Sequence, residues 1–314
     1  MPLLTRLPAS ATVFSLMLAV TAPALGATLQ VGAGKPYPAP SAAAAAARDG
    51  DRIVIAAGEY VDCAFWKAND LTIEGASPEG TVITDTSCGG KGLFVISGNR
   101  VTVRNLTLTR ARVPAGNGEG IRAEGGDLTI EHVRFIGNQN GILSAPNPAA
   151  KIIVRDSEFL RNGTCENPSG CAHGIYAGGI GLLRVERSRF FETREGHHIK
   201  SRALRTEVIG CDIADGVDGT ASYAIEVPNG GGVVVRGNRI QKGPKSENHT
   251  AGIMIGAEGV TQRTPEITVE SNGFAVTGDY TAFLVVNMTA TEAMLKGNTL
   301  SGGAKALQGD GRVQ

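Results

Sequence analysis

Eight segments of the chain close on one six-residue phrase. They are 103–108 (VRNLTL), 130–135 (IEHVRF), 154–159 (VRDSEF), 185–190 (VERSRF), 208–213 (VIGCDI), 235–240 (VRGNRI), 269–274 (VESNGF) and 295–300 (LKGNTL). Their first residues lie 27, 24, 31, 23, 27, 34 and 26 positions apart. A period in the twenties with insertions in some repeats marks a solenoid. Positions one, four and six are apolar or small and turn residues sit between them, which is a strand pattern and not a helical one. One repeat therefore makes one coil of a parallel β-helix.

Columns of the phrase become stacks in such a fold. The fourth column reads Leu106, Val133, Ser157, Ser188, Cys211, Asn238, Asn272 and Asn298. Coils stack about 4.8 Å apart, so three successive asparagines predict an internal amide ladder in which each buried amide finds its partner one coil away. The sixth column (Leu108, Phe135, Phe159, Phe190, Ile213, Ile240, Phe274 and Leu300) predicts a matching apolar stack. Both columns hold the rod together and carry no chemistry.

The chain carries 30 basic and 30 acidic side chains. A zero balance argues against a nucleic-acid partner, which needs a basic surface. The 43 glycines are spread through the repeats, so they mark tight turns. Residues 1–27 read as a signal peptide, with Arg6 as the positive region, an apolar run over 13–20 and Ala24-Leu25-Gly26 as a small-x-small cleavage site. The apolar run is too short to span a membrane comfortably. The expected product is a soluble periplasmic or secreted monomer with no membrane span after cleavage. Cys165 and Cys171 bracket a polar loop that a disulfide could staple, and Cys63 and Cys88 sit one short coil apart and could form another. Cys211 falls in the fourth column and reads as a buried small hydrophobe.

Ahead of the repeats, Ala42 to Ala47 form an alanine run that predicts a short helix, with Ser41 as its cap and Gly50 as its end. Such a helix would cover the open end of the apolar stack. The stretch VGAGKPYPAPSAAAAAARDGDRIVIAAGEY, followed by LTIEGA, resembles the start of the pectate-lyase-like superfamily, in which a capping helix leads into the first coil. The expected architecture is all-β: a single-domain right-handed parallel β-helix over 28–300, with an N-terminal capping helix. Residues 301–314 are expected to form a short C-terminal tail.

A second column lies between the phrases, led by Gly92, Gly120, Gly141, Gly174, Gly196, Ala224, Gly252 and Ala282. Strand alternation predicts an outward row of Phe94, Arg122, Leu143, Tyr176, His198, Glu226, Met254 and Leu284, with Lys200 one step further and His197 turned inward. Tyr176, His198, Lys200 and Glu226 would then share one patch roughly 10 Å across, with His173, Glu195 and Arg202 close in sequence. A base, an acid and a cation on one face suit β-elimination from a uronate, which needs a neutralised carboxylate, removal of the C5 proton and protonation of the leaving oxygen.

The run Glu195-Gly-His-His-Ile-Lys200-Ser201 resembles the Glu-x4-Lys-Ser stretch of β-helical alginate lyases and chondroitinase B. The resemblance implies Lys200 as base and Glu195 as a calcium ligand. It departs from that family at Thr193, where an acid is expected, and at Tyr223-Ala-Ile-Glu226, where an arginine is expected. The sequence therefore assigns catalysis to Lys200, His198 and Tyr176, and substrate binding to Glu226, Arg122, His173 and Arg202. It places a metal only at Glu195 and requires no cofactor. The expected partner is an acidic, uronate-containing polysaccharide, cleaved by a lyase. A non-catalytic carbohydrate-binding or envelope rod and a C5 epimerase are the alternatives.

Overall fold

The computed structural model describes residues 2–3, 26–167 and 170–314, so the expected signal segment falls almost wholly outside the described residues. Every pairing between its extended strands is parallel and joins successive coils, in the right-handed β-helix the repeats predict. Three stacks of short strands run along the rod. Two of them are fused through the long strands Val101–Thr109 and Leu128–Ile136, which pass through the bend between them. The third is a ten-stranded sheet that begins at Ala64–Trp66 and ends at Ala304–Gly309. No helix among the described residues is long and apolar enough to cross a membrane.

The phrase is the bend. Its third residue has a positive φ in all eight repeats, from 45° at Arg187 to 65° at Gly237. A left-handed residue turns the strand axis, and five of the eight are not glycine. The turn leaves the following N–H, in column four, without a regular sheet partner. At five of the bends the next coil's column-four side chain supplies one. Val133 N–H donates to Ser157 Oγ at 3.1 Å and Ser157 N–H to Ser188 Oγ at 3.2 Å. Cys211, Asn238 and Asn272 N–H donate to Oδ1 of Asn238, Asn272 and Asn298 at 2.8, 2.9 and 2.9 Å. Each Nδ2 donates onward, as Asn272 does to Val235 O at 3.0 Å. The predicted amide ladder is thus the means by which buried backbone groups at the bend stay paired.

Column six stacks as expected. Phe135 lies 4.6 Å from Phe159 and Phe159 lies 4.5 Å from Phe190, centroid to centroid and nearly parallel. These rings decide what fits opposite them. A Cβ added to Gly120, Gly141, Gly174 or Gly252 would meet Phe135, Phe159, Phe190 or Phe274 at 2.8, 2.8, 3.4 or 2.8 Å. The equivalent positions in the remaining coils are Leu93, His198, Ala224 and Leu284, and there the next coil's column six is Leu108, Ile213, Ile240 or Leu300. Glycine appears where the ring needs the space, and larger residues appear where it does not.

Two local expectations change. The helix spans Pro40–Ala46 with Ala39 at its N-cap and Pro40 opening the first turn, so Ser41 is not the cap and Gly50 does not end it. Proline at that place loses nothing, because the first N–H groups have no intrahelical partner. Ala43 is buried in the core, and Ala44 and Ala47 pack against it. Residues 301–314 are not a tail. Thr299–Gly302, Ala304–Gly309 and Gly311–Val313 pair with the preceding coil and complete a last one. Disulfides join Cys63 to Cys88 and Cys165 to Cys171, and Cys211 is a buried free thiol.

Asn272→Ala removes the acceptor for Asn238 N–H and the donor to Val235 O. Each buried orphan costs about 1–3 kcal/mol, so the variant should lose more than about 2 kcal/mol in denaturant unfolding. Asn272→Ser keeps an acceptor oxygen, as Ser157 and Ser188 do in their coils, and should lose less than half as much.

Candidate active site

The third stack carries the candidate site on its outer face. Register sets the row. Tyr176 pairs with Lys200 and Lys200 with Glu226, while Ile175, Ile199 and Ile225 pair beneath them. The outward row is therefore Val95, Arg122, Leu143, Tyr176, Lys200, Glu226, Met254 and Val286. His198 and Leu284, expected in it, lie two positions earlier and Phe94 one position earlier, and all three are buried.

His198 is the consequential correction. It is 1% exposed, with Nδ1 2.7 Å from Thr193 Oγ1 and Nε2 2.9 Å from Asp215 Oδ1. It occupies the glycine column, where the neighbouring Ile213 leaves space. A ring sealed there cannot reach a substrate. His197, expected to point inward, faces outward instead.

A cleft of about 400 Å³ opens on this face, with His173, Tyr176, His197, Lys200, Arg202 and Glu258 among its lining residues. Gly170 and Cys171 of the disulfide-closed loop line it, as do Ser222 and Glu247. Lys200 Nζ sits 2.9 Å from Glu226 Oε2 and 2.6 Å from Glu258 Oε1. Arg202 Nη2 lies 2.5 Å from Glu258 Oε2, its Nε–H donates to Tyr176 Oη at 2.9 Å, and its Nη1 meets Asn229 Oδ1. Two cations thus hold the two oxygens of one carboxylate beside a phenol.

Electrostatics fix the charges. Burial acts to lower the Lys200 ammonium, yet Glu226 and Glu258 outweigh it and hold its pKa above the ordinary value. So held, Lys200 is a cation and not the free amine that a base requires. Burial acts to raise Glu226, yet His197 and Lys200 bring it down to about 2. Burial drives His173 well below the ordinary imidazole value, helped by the charges of Lys200 and Arg202, so its ring is neutral.

Backbone donors fix the tautomers. His197 N–H donates to His173 Nδ1 at 3.0 Å, and Tyr223 N–H donates to His197 Nδ1 at 3.2 Å. Each neutral ring then carries its proton on Nε2, and that of His197 lies 3.0 Å from Glu226 Oε2. The rings of His173, His197 and Tyr223 stack along the rod, 4.8 and 5.2 Å apart. His173 meets Tyr176 edge-on at 5.3 Å. Both histidines present N–H groups, so neither offers a lone pair. The Tyr176 hydroxyl, beside Arg202, is the group placed to accept and return a proton.

Two assignments fall outside this cleft. Arg122 shares the row but lies two coils away, 3.2 Å from Glu119 Oε1 and 3.3 Å from Glu124 Oε1. Glu195 turns its carboxylate to Cys165 N–H at 2.6 Å. No group of three His, Cys, Asp or Glu that could hold a metal occurs among the described residues. Conversely, the sequence reading missed the outward His197, Tyr223, Asn229 and Glu258. Of these, only His197 and Tyr223 sit in a strand register that could have revealed them. A second groove of about 460 Å³, lined by Phe191, Ala214, Ile240 and Phe274, is mainly apolar. Its Arg239 is paired with Asp212, so it holds no acid–base set.

No protein-family model matches the chain, and no curated protein matches it. Its fold is similar to that of an alginate lyase from Paenibacillus sp. str. FPU-7, with a TM-score of 0.61 and 14% identity, covering 91% of this chain and 99% of that one. A pectin methylesterase from Yersinia enterocolitica superposes with a TM-score of 0.44 and 10% identity, covering 87% and 94%. The A-module of a mannuronan C-5 epimerase from Azotobacter vinelandii gives 0.42 and 16%, covering 88% and 94%. At such identities the likeness is one of fold, the right-handed parallel β-helix.

Glu226 has a folded pKa of about 2 against an ordinary 4.5. A depressed carboxyl stabilises the fold above its unfolded pKa, and that stability is lost as pH falls through its folded pKa. The stability gap between wild type and Glu226→Gln should reach up to about 3 kcal/mol at pH 7. It should shrink between about pH 4.5 and pH 2. Denaturant unfolding at pH 7 and at steps below 4.5 measures it. His173 titrates in both proteins and cancels in the difference.

Proposed function

We propose that this chain is an exported polysaccharide lyase that cleaves a uronate-containing glycan by β-elimination in the Tyr176–Lys200–Arg202 cleft. The observation that carries the reading is the carboxylate held by both oxygens between Lys200 and Arg202, with the Tyr176 hydroxyl against the same guanidinium. A uronate carboxylate in that place would be neutralised, which acidifies the C5 proton. The Tyr176 oxygen, which accepts from the Arg202 guanidinium, takes that proton. The C5 electron pair forms the C4–C5 double bond, and the C4–O4 bond breaks. The same hydroxyl returns the proton to the departing O4, so one residue serves as base and then acid. His173 and His197 contribute N–H donors to the cleft wall, and Glu226 fixes Lys200 from below.

Export and action as a monomer belong to the same proposal. The two disulfides support an oxidising compartment. The mechanism takes no cofactor from the chain's own residues. The fold shared with an alginate lyase agrees with the proposal, although fold alone does not select a chemistry.

A panel of uronate glycans, screened with and without calcium, is the direct test, read as ultraviolet absorbance of the unsaturated product. Tyr176→Phe should lower turnover by about 10²–10⁴-fold with little change in KM. Arg202→Ala and Lys200→Ala should raise KM as well. Undiminished turnover in Tyr176→Phe would remove the assignment. Solvent hydrogen entering C5 without unsaturated product would mark an epimerase instead.

A further inference from the structure

We infer that Glu258 is an internal stand-in for the substrate's carboxylate, and that an anionic sugar enters only by displacing it from Lys200 and Arg202. The inference rests on the lyase reading above and adds the step that selects the substrate. Glu258 comes from neither strand that bears the cations. It stands in the turn after Ala251–Ile255, 58 residues from Lys200 and 56 from Arg202. Its oxygens divide between them, Oε1 at 2.6 Å from Lys200 Nζ and Oε2 at 2.5 Å from Arg202 Nη2.

Burial separates the two carboxylates on Lys200. The Glu226 side chain is 5% exposed and the Glu258 side chain 40%. Glu226 is part of the wall, while Glu258 lies on the solvent side, where a ligand arrives. Its removal strips neither cation of support. Lys200 keeps Glu226, and Arg202 keeps Tyr176 and Asn229. The contacts released are those that face the opening.

The turn can release the side chain without moving. Glu258 N–H donates to Pro228 O at 3.1 Å and Gly259 N–H to Gly256 O at 3.2 Å. Gly256 and Gly259 hold φ of 85° and 91°, a backbone suited to glycine. Rotation about the Glu258 side-chain bonds clears the pair while these contacts persist.

Charge makes displacement necessary. Lys200 and Arg202 already pair with Glu226 and Glu258, and Glu247 lines the same cleft, so three acids stand around two cations. A polyanion added on top would meet repulsion at close range. A carboxylate that replaces Glu258 leaves the balance at the cations unchanged. A methyl ester brings no charge and cannot take its place, so the cleft selects free uronates over esterified ones.

Glu258→Gln keeps the shape and removes the charge. Calorimetric binding of trigalacturonate and trimannuronate, and of their methyl esters, to wild type and variant tests the idea. Expected is about three- to tenfold tighter binding of a free acid by Glu258→Gln, since two partly exposed ion pairs no longer compete, and no gain for its ester. Glu258→Ala, which also removes bulk, should gain for the acid as well. Equal or weaker binding of the acid by both variants would overturn the displacement, and so would an equal gain for the ester in Glu258→Gln. If wild type cleaves a uronate while the variants bind it no tighter, only the displacement falls. If no variant and no wild-type sample binds or cleaves any uronate tested, the lyase reading falls with it.

Discussion

A coil that closes on itself must bend, and each bend takes a backbone N–H out of the sheet ladder. Burying that N–H unpaired costs about as much as a hydrogen bond lost outright. The rod meets the demand at column four, where the N–H groups of Val133, Ser157, Cys211, Asn238 and Asn272 each find an oxygen on the next coil's side chain. This explains why five of the eight column residues are serine or asparagine in a core that is otherwise largely aliphatic. It also explains why identical residues repeat: the solution must be renewed every coil. The register that results is what brings residues 24 to 34 apart in sequence to within hydrogen-bonding distance. Without it there would be no row of Tyr176, Lys200 and Glu226 on one wall.

The same demand recurs at the edge of the third stack, and there its solution makes the site. His173, His197 and Tyr223 N–H donate to Asn140 Oδ1, His173 Nδ1 and His197 Nδ1, each on the preceding coil. Asn140, His173 and His197 thus form a second polar ladder, running in the opposite sense to the first. Its rings stack where the phenylalanines stack inside. Imidazole serves a structural end here, yet its other nitrogen is left facing the cleft as a fixed donor.

The fold was legible because its signals are columnar. The phrase, its ladder and its aromatic stack each repeat at coil spacing, so a sequence aligned on them yields register directly. The site was half legible. Tyr176, Lys200 and Glu226 follow from Ile175, Ile199 and Ile225 once these are aligned. His198 was misplaced because Gly196 looks like a member of the glycine column. That column needs glycine only beneath a phenylalanine of the next coil, as at Gly141 under Phe159. Ile213 follows His198, so this coil had no need of glycine, and Gly196 is there for its own left-handed turn (φ 54°). The anticorrelation between the two columns is visible in the sequence and would have corrected the register by two residues. Glu258 and Asn229 had no such signal. They lie in turns between strands, outside every column, and only the coiled path brings them over the site.

Lys200 shows how a column position differs from a chemical role. Its outward face was expected, though one step beyond the row it occupies, but a lysine is a base only when its ammonium is destabilised, and sequence spacing does not reveal which carboxylates will close on it. Glu226 comes from the paired strand and Glu258 from a turn one coil further on. Together they reverse the effect of burial. The cation they create is better suited to hold a carboxylate than to take a proton. In the proposed mechanism the proton passes to the neighbour whose hydroxyl oxygen accepts from a guanidinium, Tyr176. In the proposed lyase, burial, two acids and a fixed guanidinium so divide the labour: Lys200 and Arg202 for charge, Tyr176 for the proton.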